Sequence, residues 1–384
     1  MKVTLQLKVT LAHDYLREYG GAEKVLEALH EMFPDAPVYT AYVNLKKMGE
    51  NGQKFASWDI RPSWFQKFPF ANRLLSPFRI FAPLMFESFD MSEYDLVISS
   101  SSAVYFAKSV ITKPETLHIS YIHTPPRFLY GYAASFNYKK NPIIRILAEI
   151  ANHFLRIWDF EVSQRPDILV GNSKNVQARI KKFYRREAVV IYPPVDLGEF
   201  KSQKSKVKNH AGYFLALNRL VRGKGTEVIV QACDRLGLSL KVAGTGPELE
   251  NLKSLIVNRK SYIEFLGWVS DEQRIKLLAG AKALIVASED EDFGITSVEA
   301  QAAGTPVIAP RAGGFLETVT EKTGVFYGGP GMVNADSLVK VLKDFDPSKF
   351  KAEDCRKNAE KFSKDRFRKE LTDLIEKNLP VRPR

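Results

Sequence analysis

Apolar and polar positions along this 384-residue chain alternate between short apolar runs and longer amphipathic stretches. Residues 8–12 form a brief β-type run. The polar segment 13–21 follows and closes on Gly20-Gly21, after which Ala22, Val25, Leu26 and Leu29 recur at helical spacing. Further apolar runs come at residues 95–99, 117–122, 168–170 and 188–191, with helical patterns between them. Strands that are apolar throughout are buried on both faces. In alternation with helices they predict a parallel sheet with crossover helices.

The prolines of Tyr192-Pro193-Pro194-Val195-Asp196 and the polar, lysine-rich run 201–210 punctuate the chain. Such a stretch reads as a domain boundary. A second alternation begins at residues 213–217 and continues through 238–243, 262–266, 283–287 and 306–309. Helical patterns lie at 271–281 and 295–303, and a charged helical pattern fills about 348–379. The expected fold is α/β: two Rossmann-like, doubly wound domains at 1–200 and 201–360, with a helical tail at 361–384 packing back on the first. The length agrees, since single cores stop growing at roughly 250–300 residues. Open α/β sheets bind ligands outside the carboxyl ends of their strands, so two such domains facing a central cleft would offer two binding edges.

Composition narrows the classes. Two cysteines, Cys233 and Cys355, are too few for a disulfide framework, and the six histidines show no metal-like spacing. No secretory leader pattern and no uncharged apolar run of about 18 residues is evident, which predicts a cytoplasmic protein. The net charge of +12 suits an anionic partner without choosing among nucleic acid, anionic lipid and a phosphorylated ligand. No nucleic-acid motif accompanies it, so no nucleic-acid partner is expected.

Candidate chemistry gathers in the second half. The run 213–217 leads into Asn218-Arg219-Leu220-Val221-Arg222-Gly223-Lys224-Gly225 and then a helix. A strand, a basic glycine loop and a helix start make either an anion site or an ordinary basic turn. Next comes Glu291-Asp292-Phe293-Gly294-Ile295-Thr296-Ser297-Val298-Glu299. Gly294 permits close backbone approach. Glu299, one turn into the helix, suits the vicinal hydroxyls of a ribose, and Glu291 suits sugar hydroxyls, because a carboxylate accepts from polyols. The plain alternative is a solvated acidic loop. Asp290-Glu291-Asp292 also spells D-x-D, a pattern that can hold a divalent ion. Gly244-Thr245-Gly246 lacks the third glycine of a dinucleotide fingerprint, since position 249 is Leu.

The E-x7-E spacing of Glu291 and Glu299, its E-x-F-G setting, the Ala-Gln-Ala-Ala-Gly304-Thr305-Pro306-Val307-Ile308 that follows, Arg219, Lys224 and Gly313-Gly314-Phe315-Leu316-Glu317 together resemble the retaining GT-B glycosyltransferases called glycosyl transferases group 1. The resemblance implies a hexosyltransferase using a nucleotide-sugar. Glu299 would hold the donor ribose, Glu291 the transferred sugar, and Arg219 and Lys224 the diphosphate. Phe293, Gly294, Ile295 and Thr296 would line the donor site, and the turn centred on Gly267 the nucleobase pocket. Gly20 and Gly21 resemble the family's glycine loop facing the donor phosphates. His123, in Tyr-Ile-His123-Thr124-Pro125-Pro126-Arg127, matches a histidine that contacts the transferred sugar. By itself a lone histidine would read as a packed structural residue. The His-Thr-Pro-x-Arg run is similar to bacterial mannosyltransferases of polysaccharide, lipopolysaccharide and O-antigen assembly, although Pro126 stands where those carry Met. GDP-mannose is therefore the favoured donor, with a UDP-sugar as the alternative. Metal independence is expected, with no cofactor beyond the donor and no metal ligands.

Residues 58–89 interleave aromatics with cations: Trp58, Arg61, Trp64, Phe65, Lys67, Phe68, Phe70, Arg73, Phe78, Arg79, Phe81, Met85 and Phe86. Lys139, Lys140 and Arg145 extend the pattern. Two readings stand open, a buried apolar face with solvated cations or a surface for anionic membrane. The second would place the enzyme on the inner face of the cell membrane beside a glycan or polyprenyl-linked acceptor. Rival functions are a nucleotide-sugar epimerase and a non-catalytic membrane-associated scaffold on the same fold.

Overall fold

The computed structural model describes residues 7–74, 77–102, 106–132, 142–201, 212–258 and 262–379. Lys139, Lys140 and the polar run 202–210 lie outside them. The described chain divides into two compact units. One runs up to Pro194 and resumes at Phe367, and the other spans Val195–Arg366.

The first unit holds a seven-stranded sheet among the described residues, with strands β1 (Val9–His13), β2 (Val38–Thr40), β3 (Ile60–Pro62), β4 (Leu96–Ser101), β5 (Leu117–Ile122), β6 (Ile168–Gly171) and β7 (Val189–Val190). Their order is β3-β2-β1-β4-β5-β6-β7 and the pairs are parallel. β1, β4 and β5 are buried at every position, which is why apolar residues lead each of them, with Thr10, His118, Ser120 and the serines that end β4 as buried polar members. The second unit holds β8 (Phe214–Leu217), β9 (Ser239–Ala243), β10 (Tyr262–Gly267), β11 (Leu284–Ile285), β12 (Val307–Pro310) and β13 (Gly324–Tyr327). They are also parallel, in the order β10-β9-β8-β11-β12-β13. Both sheets share the doubly wound order in which the first strand sits mid-sheet. The α/β class and the two Rossmann-like domains expected from the pattern are therefore present. β2, β3 and β13 lie outside the apolar runs read from the sequence.

The doubly wound order matters for function. Where it reverses direction, between β1 and β4 and again between β8 and β11, the loops splay apart and leave a crevice at the strands' carboxyl ends.

The charged tail is two helices, Ala352–Glu360 and Lys364–Asn378. Phe367, Leu371 and Ile375 of the second helix join the core cluster of β1, β4 and β5 in the first unit. The segment 58–89 divides between the two readings. Phe65, Met85 and Phe86 are fully buried in a core cluster, and Trp58 stacks on His30 with ring centroids 3.7 Å apart. Trp64, Phe68, Phe70, Phe81 and Leu84 are exposed.

Candidate functional site

In the second unit the chain leaves β8 through the loop 218–225 and enters the helix Thr226–Leu236. Gly225 caps that helix at φ +68°, and a Cβ there would lie 2.2 Å from the Ala287 carbonyl oxygen. Only glycine combines that left-handed backbone with so close an approach. The contact pins the loop after β8 against the segment after β11, across the switch point of the sheet. There Lys224 Nζ meets Glu291 Oε2 at 2.8 Å, both side chains mostly buried. The two charged groups singled out from sequence, 67 residues apart, are thus brought together where the fold opens its crevice.

The loop carrying Glu291 is held from behind. The Gly314 N–H donates to the Glu291 carbonyl at 2.8 Å, and Phe293 is buried edge-on against Phe362. The Phe293 side chain therefore anchors the loop from the core. Gly294, at φ +89°, caps the helix Ile295–Ala303 without a side-chain hydrogen bond. Its missing Cβ leaves room for the Phe315 ring, which would otherwise lie 2.9 Å away. Ile295 and Thr296 open that helix and Glu299 lies inside its second turn, 4% exposed. Gly267 ends β10 at φ +68° beside an irregularity in the β9–β10 register. Arg219 is exposed on the loop after β8.

Sequence reasoning missed Arg274, on the helix Asp271–Gly280. Its guanidinium lies 2.9 Å from Glu299 and 2.9 Å from Glu199, with Asp271 at 3.2 Å. Burial works against its charge, but Glu299, Asp271 and Glu199 outweigh burial and raise its pKa. The Glu299 contact is a close charge pair without aligned hydrogen-bond geometry. It fixes the carboxylate at one oxygen. Only Asp271 is local to this arginine; Glu299 and Glu199 come from other segments, so the sequence pattern does not mark its role.

In the first unit the switch point lies between β1 and β4. Gly20 caps the helix Gly21–Met32, and Glu23 in its first turn accepts from the Gly20 N–H at 2.8 Å. The other oxygen of Glu23 faces His13 Nε2 at 3.4 Å. His13 Nδ1 contacts Ser100 Oγ at 3.1 Å, and Ser100 Oγ contacts His123 Nε2 at 2.9 Å. Glu23, His13, Ser100 and His123 thus form one continuous line of polar contacts, in which the donor at each step follows the tautomers of the two rings. Burial, and secondarily His13, pull the His123 imidazole from 6.5 down to about 3, so it is neutral at physiological pH. His13, Glu23 and Ser100 had no assigned role in the sequence. The polar run Ser99–Ser102 ending an apolar strand was the available signal, since buried hydroxyls need partners.

Among the described residues no group of three or more His, Cys, Asp or Glu side chains is placed to hold a metal ion. In the D-x-D triplet, Glu291 is engaged by Lys224.

Comparison with known proteins bears directly on this crevice. Residues 198–362, which contain Arg219, Lys224, Arg274, Glu291 and Glu299, match the family model "Glycosyl transferases group 1". That match covers 43% of the chain, all of it in the second unit. Over 279 residues, 62% of the chain, it is 27% identical to a D-inositol 3-phosphate glycosyltransferase of Corynebacterium urealyticum. That alignment spans 65% of the relative, just under two thirds of its length. It is also 27% identical over 208 residues to a GDP-mannose-dependent monoacylated alpha-(1-6)-phosphatidylinositol monomannoside mannosyltransferase of Corynebacterium glutamicum, covering 48% of this chain and 55% of that one. In fold it is similar to Anabaena HepE, solved in complex with UDP and glucose, with a TM-score of 0.68 at 19% identity over 97% of this chain and 100% of that one. That likeness establishes the GT-B fold class.

Proposed function

We propose that the protein is a retaining glycosyltransferase that moves a hexose from a nucleotide-sugar to a glycan or lipid-linked glycan. The observation that carries this reading is the Lys224–Glu291 pair at the second sheet's switch point, on the loop that leads into the helix carrying the buried, arginine-held Glu299. A cation for the leaving diphosphate, a carboxylate for the sugar and a carboxylate for the ribose are the groups a nucleotide-sugar site needs.

In this reading the sugar–diphosphate bond lengthens through an oxocarbenium-like transition state. Negative charge grows on the leaving oxygen, where Arg219, Lys224 and the start of the helix Ile295–Ala303 stabilise it as it develops. Glu291 must release Lys224, or share it, when the diphosphate arrives. Glu291 holds sugar hydroxyls rather than attacking carbon, and the acceptor proton leaves on a donor phosphate oxygen. Gly20, Gly21 and His123 are assigned to the phosphates and the transferred sugar, with the neutral His123 ring hydrogen-bonding a sugar hydroxyl. Stabilisation comes from cationic side chains, so the reaction proceeds without a divalent ion.

GDP-mannose is the favoured donor. A relative named for that donor and the His-Thr-Pro-x-Arg run at His123 support it. A UDP-sugar is the second reading, supported by HepE, which was solved with UDP and glucose. The test is nucleoside-diphosphate release from GDP-, UDP-, ADP- and dTDP-sugars, with Glu291→Ala as control. Release from one donor, lost in the variant, is expected. No release from any donor, together with no thermal stabilisation by any nucleotide, would overturn the proposal.

A further inference from the structure

The helix Pro142–Val162 in the first unit has two apolar faces, and the fold uses one. On its inner side Leu155 and Val162 are buried in the core cluster that contains Phe65, Met85 and Phe86. Asp159, fully buried, meets Lys108 at 2.6 Å and accepts from Tyr130 and Tyr184 at 2.8 and 3.2 Å. These contacts fix the helix in position.

Its outer side carries Ile146, Leu147, Ile150, Phe154 and Ile157, each between 51 and 62% exposed. At helical spacing the five fall within an arc of about 100° and run roughly 16 Å along the axis. Arg145, Glu149 and His153 flank them and outline a shallow hollow on that face. A soluble surface seldom leaves so many large apolar side chains contiguous without a partner. Trp64, Phe68, Phe70, Phe81 and Leu84 are also exposed on segments that share the same core cluster or border it.

The dimensions choose the occupant. A stable dimer buries about 800 Å² on each partner, and a stripe one helix wide and three turns long offers a few hundred at most. A lipid surface needs only shallow entry, about 5–10 Å, from a helix lying flat. No described helix is long and apolar enough to cross a membrane, so this one would lie on it. The helix itself is close to charge balance, with Arg145 and Arg156 against exposed Glu149 and Glu161. Attraction comes from the chain as a whole, whose net charge is +12. We propose that the 146–157 face of this helix docks on an anionic lipid bilayer, its isoleucines, leucine and phenylalanine entering the headgroup boundary. The inference goes beyond the transferase reading and does not depend on it.

The experiment is co-sedimentation of the full chain with vesicles of equal parts phosphatidylcholine and phosphatidylglycerol, and with phosphatidylcholine alone. The double variant Ile150→Ser/Phe154→Ser is compared with the parent. Both side chains are solvent-exposed, so the melting curve is expected to be unchanged. Partitioning onto the anionic vesicles should fall about 100-fold, roughly tenfold for each apolar side chain withdrawn. Equal binding of both proteins, or no binding by the parent, would overturn the proposal. So would a parent dimer that the variant abolishes in sedimentation velocity without any vesicle binding, because a second copy would then cover the face. Nucleoside-diphosphate release in the absence of vesicles should be the same in both proteins. Its absence in both, with vesicle binding still lost in the variant, would remove the transferase reading and leave this one standing.

Discussion

Replacing Ser100 by alanine tests the buried chain behind His123. The hydroxyl is fully buried and links two imidazoles, at 3.1 Å to His13 and 2.9 Å to His123. Removing one oxygen leaves a space too small for water and two ring nitrogens without this partner. An orphaned buried donor or acceptor costs about 1–3 kcal/mol, so Ser100→Ala should destabilise the protein by roughly 2–6 kcal/mol. For a domain of this size that lowers Tm by about 4–24 °C. The same substitution frees the His123 tautomer, so donor turnover should fall further than the folded fraction does. Ser99→Ala is the matched control. Ser99 sits on the opposite face of β4 and bonds His118 Nε2 at 3.0 Å, away from the switch-point residues. It should cost about 1–3 kcal/mol and leave turnover per folded molecule unchanged. Urea melts and nucleoside-diphosphate release measure both quantities. A Ser100→Ala protein within about 0.5 kcal/mol of the parent, with full turnover, would refute the relay. Equal loss of turnover in both variants would refute its link to His123.

Stability should also depend on acid. His118 and His123 are buried and held at about 3, against 6.5 when unfolded, so the unfolded chain binds more protons. Their contribution is complete above pH 6.5 and is lost as pH falls towards 3, by about 1.4 kcal/mol per pH unit for each ring. His118→Gln should flatten the urea midpoint against pH over that window, and an unchanged slope would contradict the assignment. Gly225→Ala adds a Cβ 2.2 Å from the Ala287 carbonyl at positive φ and should destabilise by about 2 kcal/mol or more, read by calorimetry. Arg274→Met strips the cation from a 6%-exposed Glu299 carboxylate and should raise the donor KM about 10- to 100-fold with a smaller effect on kcat, whereas a pure kcat loss would count against ribose binding. Lys224→Ala should cost on the order of 100–1,000-fold in turnover with the fold intact. EDTA should leave turnover unaltered, and loss restored by Mn²⁺ would show that the cationic side chains do not suffice.

The apolar runs and their helical spacers were enough to give the α/β class and two Rossmann-like domains, because strands buried on both faces are predominantly apolar and so legible locally. Glu291, Glu299, Arg219 and Lys224 were legible too. Each lies beside a glycine or helix start whose local pattern marks a ligand edge. What the linear chain does not carry is partnership across distance. Glu23, His13, Ser100 and His123 become a single chain of bonds only because β1 and β4 are adjacent while β2 and β3 are wound to the other side. Arg274 meets Glu299 only because helices from different crossovers pack together. The exposed stripe of the 142–162 helix is more apolar than its buried side, where Asn152 and Asp159 sit beside Leu155 and Val162. Whether an isoleucine is core or surface is decided by what packs against it, and tertiary contact alone supplies that.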